Sequence, residues 1–405
     1  MSLGLVETST LTIEDGIRLQ SRATLRPVTV AYEIYGELNA QRDNAILVCH
    51  ALSGGAHAAG CHPDATKPGW WDVMIGPGKA FDTRRYCVIS SNVLGSCYGT
   101  TGPASIDPRS AQPYGSRFPV ITIADIVNVQ RVLLDRLGID SLLAVAGGSM
   151  GGMQALQWAV SYPERVRGVI AIATTARHSA QQIAFDEVAR RAITSDPAWN
   201  SGDYYGSRRP ADGLAVARML GHITYLSDQG MADKFGRRRC ALAGDARDAP
   251  RVSTHAARAA DRPPDFEVER YLHHQGQSFV RRFDANSLIC LTKAMDYFDL
   301  AEGRGSLADA FTPSRARFLL LSFSSDWLYP PRQLEEVAEA IRESRRGCGV
   351  CGVASREIPS TCGHDAFLLE HAQQAPLIAS FLDLCATRSV PGGTCGVHGR
   401  TSRSA

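Results

Sequence analysis

The residues best suited to chemistry in this chain lie in the sequence Gly-Gly-Ser-Met-Gly at 147–151. This sequence places Ser149 in the pattern G-x-S-x-G, after an apolar run at 142–146 and before a helical pattern at 153–162. A serine on a sharp strand-to-helix turn presents its hydroxyl as a nucleophile, and glycines allow the close backbone packing. We therefore expect Ser149 to be a nucleophile with a strained backbone, and the Met150 N–H to stabilise an oxyanion. The alternative is a plain glycine-rich turn.

A nucleophilic serine needs a general base, and the base needs an acid that orients it. In enzymes with this type of turn, the acid follows the serine along the chain and the histidine comes last. Asp326 follows an apolar run at 318–322, and His364 follows the last predicted strand at 354–358. Taken singly, Asp326 is also compatible with a turn cap and His364 with a surface histidine. The ordered set favours a catalytic triad with Ser149.

An oxyanion hole needs a second N–H, and a loop after an early strand supplies it in such enzymes. The loop 50–55 follows the apolar run at 45–49. We expect the backbone N–H of Leu52 to be this donor, because its position in the sequence matches that loop. The alternative is an ordinary turn after a strand.

Apolar patterning predicts the scaffold that would hold these residues. The predicted strands are short apolar runs: 45–49, 86–90, 142–146, 166–173, 318–322 and 354–358. The predicted helices have apolar residues at helical spacing: 123–137, 153–162, 333–341 and 366–384. Alternation of strands and helices is typical of a parallel sheet with right-handed crossovers. We predict an α/β-hydrolase fold, with a mostly parallel sheet flanked by helices and a helical lid inserted above it.

The predicted organisation is one core interrupted by the lid. The first part of the core covers 12–174, the lid 175–300 and the second part of the core 301–385. Within the lid, a polar stretch at 240–265 is expected to be an exposed loop. The tail at 386–405 is rich in Gly, Ser, Arg and Thr, and we expect it to be disordered.

Composition excludes several classes of function. The 405 residues carry a formal net charge of only +2, so no bulk electrostatic attraction to nucleic acid is expected. No apolar run approaches the roughly 20 residues of a membrane span, and the first residues lack a signal-peptide pattern. A cytoplasmic location is therefore expected. Cys348 and Cys351 form a lone CxxC without further ligands, so we expect no metal and no bound cofactor.

From about residue 32 to 370 the chain resembles the homoserine O-acyltransferases of the α/β-hydrolase type. The collection of motifs that carries the resemblance is not shared by generic esterases. The motifs are CHALSG (49–54), KPGWWD (67–72), GPGKAFDT (76–83), NVLGSCYGTTGP (92–103), GGSMGGMQALQWA (147–159), ARMLGHITYLSD (217–228), RFDANS (282–287), TKAMDYFDL (292–300) and GHDAFLLE (363–370). One departure is Ser96, where the family more usually has glycine in a Gly-Gly-Cys sequence.

The resemblance implies further roles. It implies an enzyme that acylates the hydroxyl of L-homoserine for methionine synthesis. Because a single Ser-Asp-His set would serve both substrates, we predict an acyl-serine and a ping-pong mechanism. Arg218 would hold the carboxylate of the amino acid, which suits the two-pronged hydrogen bonding of a guanidinium. Asp365, directly after the catalytic histidine, would bind the amino group. The resemblance also implies a homodimer built through the lid.

The acyl donor is a finer question. Relatives that use succinyl-CoA carry an arginine directly after an Asp-Trp pair, where this chain has Leu328. Leucine offers no partner for the free carboxylate of a succinyl group, and burying an unpaired charge is costly. Acetyl-CoA is therefore the expected co-substrate. The alternatives are succinyl transfer, a serine esterase or thioesterase, and a non-catalytic binding protein with this fold.

Overall fold

The computed structural model describes residues 3–63, 65–240, 264–346 and 352–387. Three features considered above lie outside these ranges. They are the greater part of the predicted tail, the centre of the predicted loop at 240–265, and the Cys348–Cys351 pair.

Within the described residues, eight strands form one sheet in the order β1-β2-β4-β3-β5-β6-β7-β8. The strands are β1 Ser9–Ile13, β2 Val28–Tyr35, β3 Ala45–Cys49, β4 Cys87–Ser91, β5 Ala144–Gly148, β6 Gly168–Ile172, β7 Arg317–Phe323 and β8 Val353–Ile358. Strands β3 to β8 are parallel to one another, whereas β2 is antiparallel to both of its neighbours. The predicted mostly parallel sheet is confirmed, and β1 and β2 are additions that the sequence reading missed.

Helices cover the two faces of this sheet and form the lid. The helices are α1 Ile123–Arg136, α2 Met150–Ser161, α3 Ala180–Thr194, α4 Ala211–Tyr225, α5 Asp228–Lys234, α6 Glu267–Val280, α7 Ala285–Asp296, α8 Leu307–Phe311, α9 Pro331–Ser344, α10 Ala366–Leu369 and α11 His371–Ala386. Successive residues of β3 enter opposite core clusters, with Leu47 in one and Ile46 and Val48 in the other. Burial on both faces explains why the central strands are continuously apolar.

Helix α2 begins at Met150, three residues earlier than predicted, and so starts directly after Ser149. The early start was hidden by Gly151 and Gly152, because glycine has low helix propensity. The structure explains the glycine at 151. A Cβ atom there would lie 2.1 Å from the carbonyl oxygen of Cys49. The close packing of α2 on the end of β3 therefore requires glycine.

The prediction of one final helix at 366–384 was wrong. The chain forms α10 and α11 instead, separated at Glu370, which has φ −83° and ψ 39°. The Glu370 carboxylate accepts hydrogen bonds from Ser360 Oγ at 2.8 Å and from Gln373 Nε2 at 2.9 Å. These bonds connect the break to the loop that precedes His364.

Among the described residues, six helices, α3 to α8, lie between β6 and β7, and the first five of them, α3 to α7, form the insertion. At its base, the entering and leaving segments pair through backbone bonds. The N–H of Leu300 donates to Ala176 at 3.0 Å, and the N–H of His178 donates to Phe298 at 3.2 Å. Across the described parts of the chain, every helix is too short or too polar to span a membrane.

Candidate active site

Four of the predicted site residues follow the carboxyl ends of parallel strands. Ser149 follows β5, Asp326 follows β7, His364 follows β8 and Leu52 follows β3. Carboxyl ends of parallel strands meet at one edge of a sheet, so these residues lie on the face where ligands of such sheets bind.

Ser149 occupies the strained turn that its pattern predicts. Its φ is 57° and its ψ is −125°, a left-handed conformation that L-residues rarely adopt. Two hydrogen bonds hold it there: its N–H donates to the Ile172 carbonyl at 2.9 Å, and its carbonyl accepts from the side-chain hydroxyl of Thr174 at 2.8 Å. The surrounding sheet therefore maintains a conformation that the isolated segment would not favour.

Asp326 and His364 are hydrogen-bonded to one another. The distance from His364 Nδ1 to Asp326 Oδ2 is 2.8 Å, and both side chains are buried. The other carboxylate oxygen of Asp326 accepts the backbone N–H groups of Leu328 at 3.0 Å and Tyr329 at 2.8 Å. A carboxylate at Nδ1 favours the tautomer with the proton on Nδ1, which leaves Nε2 as the basic nitrogen.

The His364 ring lies beside the turn that carries Ser149. The ring of Phe367 packs 5.4 Å from the His364 ring. The same phenyl ring is so close to Gly148 that a Cβ atom there would lie 2.4 Å from it. Among the described residues, His364 Nε2 has no hydrogen-bond partner. It is therefore available to accept a proton. A cavity lies next to it, lined by Ser149 and by Tyr225 and Tyr329, whose rings contact the His364 ring.

One of the two predicted oxyanion donors, Leu52, lines this cavity, and the other, Met150, directly follows the lining residue Ser149. Met150 is also the first residue of α2. Within the described ranges, neither the Leu52 N–H nor the Met150 N–H has a hydrogen-bond partner. Buried His50 holds the loop of Leu52, because its Nδ1 lies 2.8 Å from the Ala51 oxygen and its Nε2 accepts the Val93 N–H at 3.1 Å. Burial lowers the pKa of His50 to about 4, so this ring is neutral.

Arg218, on lid helix α4, is a half-buried cation that lines the cavity. Its guanidinium lies 4.8 Å from the Phe279 ring centre and 5.7 Å from that of Tyr225, and Nη1 is 3.4 Å from Ser53 Oγ. In the part of the chain that the structure describes, Arg218 has no ion-pair partner. Burial lowers its pKa. Removing a cation from water without a counter-ion costs free energy, and a bound anionic ligand would offset that cost.

Asp365 lies in the turn Gly363–Asp365 and carries the charge opposite to that of Arg218. Its carboxylate makes no hydrogen bond or ion pair with other described residues. Burial raises its pKa, and the nearby His364 and Arg218 partly oppose that shift. An unpaired anion and an unpaired cation therefore lie within electrostatic reach of one another beside His364.

The cavity is otherwise mostly apolar, and Leu328 belongs to its wall. The Leu328 carbonyl accepts a bond from Gln182 Nε2 at 2.7 Å, which fixes the segment after Asp326 against α3. Among the described residues that line the cavity, Arg218 is the only lysine or arginine. Leu328 therefore adds no charge to the wall of the cavity.

Sequence reasoning missed three residues that hold this site, Arg282, Tyr329 and His178. Arg282 donates to the Ser53 carbonyl at 3.0 Å and to Tyr98 Oη at 2.9 Å, and it thus fixes the loop after β3. Tyr329 and His178 are hydrogen-bonded to each other, and both line the cavity. Arg282 could have been found from the sequence, because it lies in the motif RFDANS. No sequence pattern pointed to Tyr329 or His178.

Two groups of described residues have donor atoms close enough to hold a metal ion. They are Glu33 with His57 and His62, and His178 with Asp186 and Asp296. Hydrogen bonds account for the first group, because the Glu33 oxygens already accept bonds from both histidines, Tyr35 and Thr8. In the second group, Arg190 lies 2.7 Å from Asp296 and balances its charge. We assign a metal to neither group.

Comparison with known proteins identifies the class first. Residues 44–371 match the family model described as the alpha/beta hydrolase fold. A protein of Methanosphaerula palustris named homoserine O-acetyltransferase is 54% identical over 389 residues, which covers 96% of this chain and 76% of that protein. The protein of the same name from Methanobrevibacter ruminantium is 55% identical over 382 residues, covering 94% and 74%. The chain belongs to the homoserine O-acetyltransferase family of the α/β-hydrolase fold.

Solved structures agree on the fold. The homoserine O-acetyltransferase of Bacillus anthracis superposes with a TM-score of 0.84 at 29% identity, covering 94% of this chain and 98% of that one. Esterase E22 has a TM-score of 0.82 at 30% identity, covering 93% and 100%. The predicted fold, family and acyltransferase class are confirmed. Since an esterase shares the architecture, the fold alone does not separate transfer from hydrolysis.

Proposed function

We propose that this enzyme transfers an acetyl group from acetyl-CoA to the hydroxyl of L-homoserine, giving O-acetyl-L-homoserine and CoA for methionine synthesis. The observation that carries the proposal is the pair of half-buried charges, Arg218 and Asp365, which have no ion-pair partner among the described residues and lie beside the hydrogen-bonded Asp326 and His364. A cation and an anion so placed fit the carboxylate and the ammonium group of one amino acid. A simple ester substrate presents neither group.

The donor half-reaction uses Ser149 as the nucleophile. Its hydroxyl oxygen attacks the thioester carbonyl of acetyl-CoA while His364 Nε2 takes the proton. The N–H groups of Leu52 and Met150 stabilise the resulting oxyanion. The carbon–sulfur bond then breaks, and CoA leaves with the proton that His364 returns to its sulfur. The product is an acetyl ester of Ser149.

The acceptor half-reaction repeats these roles. Arg218 binds the homoserine carboxylate and Asp365 binds its ammonium group, which orients the γ-hydroxyl toward the acetyl ester. His364 takes the hydroxyl proton, the hydroxyl oxygen attacks the ester, and the proton returns to Ser149 as the product leaves. Asp326 stabilises the imidazolium in both halves. One serine serving two substrates implies a ping-pong mechanism with parallel initial-rate plots.

The donor assignment rests on the wall of the cavity. A succinyl group would bring a second carboxylate into it, and that carboxylate would need a cation of its own. Leu328 supplies none, and Arg218 is already assigned to the acceptor. These residues support an acetyl donor over succinyl.

We expect rapid thiol release with acetyl-CoA and homoserine together, and release at least tenfold slower when serine or succinyl-CoA replaces one of them. The measurement is a side-by-side assay of the two CoA esters, each offered homoserine, serine or neither. Thiol release that is equally fast without an amino acid would show hydrolysis, the alternative that the likeness to esterase E22 favours. Equal rates with succinyl-CoA would contradict the donor assignment.

The role of Asp365 predicts a pH dependence of acceptor binding. Only the ionised carboxylate binds an ammonium group, and burial raises the pKa of Asp365. The Michaelis constant for homoserine should therefore rise as the pH falls, starting above the pH at which an ordinary aspartate, with a pKa of about 3.9, would protonate. The measurement is the Michaelis constant of each substrate as a function of pH. The Michaelis constant for acetyl-CoA should not show this rise at low pH.

Replacement of Asp365 by Asn provides the control for this prediction. The variant should have a high homoserine Michaelis constant at every pH, because the amide carries no charge to lose. A pH-dependent homoserine constant that persists in Asp365→Asn would assign the titration to another group.

We also propose that the enzyme forms a homodimer through the lid. Helices α3 and α4 expose the apolar side chains of Val188, Val216 and Ile223 on the insertion. Contact between two lids would remove these side chains from water.

A further inference from the structure

We propose that His178, at the base of the lid, is a positioning residue that holds the Asp326–His364 pair in place through Tyr329. The proposal rests on the proposed role of Ser149, Asp326 and His364 in catalysis. His178 and Tyr329 are 151 positions apart in the sequence, and their side chains are hydrogen-bonded.

Tyr329 contacts both partners of the candidate base. Its backbone N–H donates to Asp326 Oδ1 at 2.8 Å. Its ring packs against the His364 imidazole, with centroids 4.9 Å apart and planes inclined by 31°. A shift of Tyr329 would therefore change both the hydrogen bonding of Asp326 and the packing of His364.

His178 fixes the position of the Tyr329 hydroxyl, and with it the position of the ring. The distance from Tyr329 Oη to His178 Nε2 is 2.7 Å, and both residues are buried. His178 itself is fixed where the lid joins the core, since its N–H donates to the Phe298 carbonyl at 3.2 Å. The hydrogen bond thus connects the base of the lid to the residue that supports the candidate base.

Asp296 and Asp186 of the lid face the other ring nitrogen of His178 without hydrogen bonding to it. Nδ1 lies 3.6 Å from Asp296 Oδ1 and 3.7 Å from Asp186 Oδ2. Burial opposes ionisation of Asp296, but His178 and Arg190 outweigh it and keep the pKa of Asp296 below its usual range. An anion facing Nδ1 favours a proton on that nitrogen. Nε2 is then an acceptor, and the Tyr329 hydroxyl donates to it.

Two substitutions distinguish the roles of the two ring nitrogens of His178. The amide of glutamine reaches about as far as Nε2, whereas that of asparagine reaches about as far as Nδ1. His178→Gln therefore retains an acceptor for the Tyr329 hydroxyl, and His178→Asn retains a polar group only beside the lid carboxylates. Tyr329→Phe removes the hydroxyl and keeps the ring that packs on His364.

The experiment measures the rate at which a fluorophosphonate labels Ser149, together with kcat and KM for acetyl transfer. Tyr329→Phe and His178→Asn should each slow labelling and lower kcat about tenfold, the loss that one neutral hydrogen bond supports. KM for homoserine should stay within about twofold, because Arg218 and Asp365 are untouched. His178→Gln should recover most of the rate. The double variant should be no slower than the slower single variant, since both remove one bond.

Tyr162→Phe is the matched control for loss of a tyrosine hydroxyl. Tyr162 Oη donates to Asn128 Oδ1 at 3.1 Å, between the end of α2 and helix α1. This variant should lower thermal stability by an amount similar to Tyr329→Phe and leave labelling unchanged. A stability loss alone would then not explain slower labelling at 329.

Several outcomes would overturn the inference. Wild-type labelling rates in Tyr329→Phe and His178→Asn would show that the bond positions nothing. If His178→Asn recovered the rate and His178→Gln did not, the important contact of His178 would be with the lid carboxylates and not with Tyr329. Failure of the proposed function is distinguishable, because a wild-type enzyme that labels at Ser149 yet transfers nothing to homoserine would refute only the acceptor. A wild-type enzyme that does not label at Ser149 would overturn both.

Discussion

Replacing Ser149 with alanine is expected to lower acetyl transfer by a factor of a thousand or more. Without the hydroxyl no acetyl ester forms, and only the residual rate from binding and oxyanion stabilisation remains. The fold should survive, because the strained turn is held by backbone bonds and by Thr174. The measurement is the steady-state rate of thiol release, together with the intact mass of the protein after mixing with acetyl-CoA alone.

Ser161→Ala, at the other end of α2, is the matched control. Its hydroxyl accepts a bond from Gln157 within the helix, and it does not line the cavity. This variant should retain wild-type rates and acquire the mass of one acetyl group on Ser149. If Ser149→Ala kept transfer within tenfold of wild type, the acetyl-serine intermediate would be refuted and direct transfer would replace it.

Replacing Arg218 with alanine is expected to weaken the use of homoserine about a hundredfold or more. Hydrogen bonds to charged groups contribute roughly 1.5–3 kcal/mol each, and the fork would lose two. Acetylation of Ser149 should be far less affected, since the acetyl group carries no carboxylate. The measurement is a pair of rapid-mixing traces: formation of the acetyl-enzyme from acetyl-CoA, then its decay when homoserine is added.

Arg218→Lys should recover only part of the loss, because an ammonium group cannot form a planar fork. Arg191→Ala, which removes an exposed arginine from lid helix α3, should leave both traces unchanged. If formation collapsed in Arg218→Ala while decay stayed normal, Arg218 would serve the CoA ester. Normal traces for both steps would remove Arg218 from the site.

The parts of the fold that were predictable are those written in short stretches of sequence. Strands such as β3 and β5 are buried on both faces, and their continuous apolar runs mark them directly. Strand β2 was missed, because it is only partly covered and mixes polar with apolar residues. The break at Glu370 was missed because the side chain that stabilises it bonds to Ser360, across the preceding loop.

The sequence by itself determined the turn at Ser149, because five consecutive residues build it and their glycines are required by contacts at that turn. The order of Asp326 and His364 after it was equally visible, since each follows its own strand. Only the tertiary structure decided their 2.8 Å contact and the bond between His178 and Tyr329. It also left Arg218 and Asp365 without ion-pair partners among the described residues. Whether a buried charge is paired depends on every element that packs around it, and those elements come from distant parts of the chain.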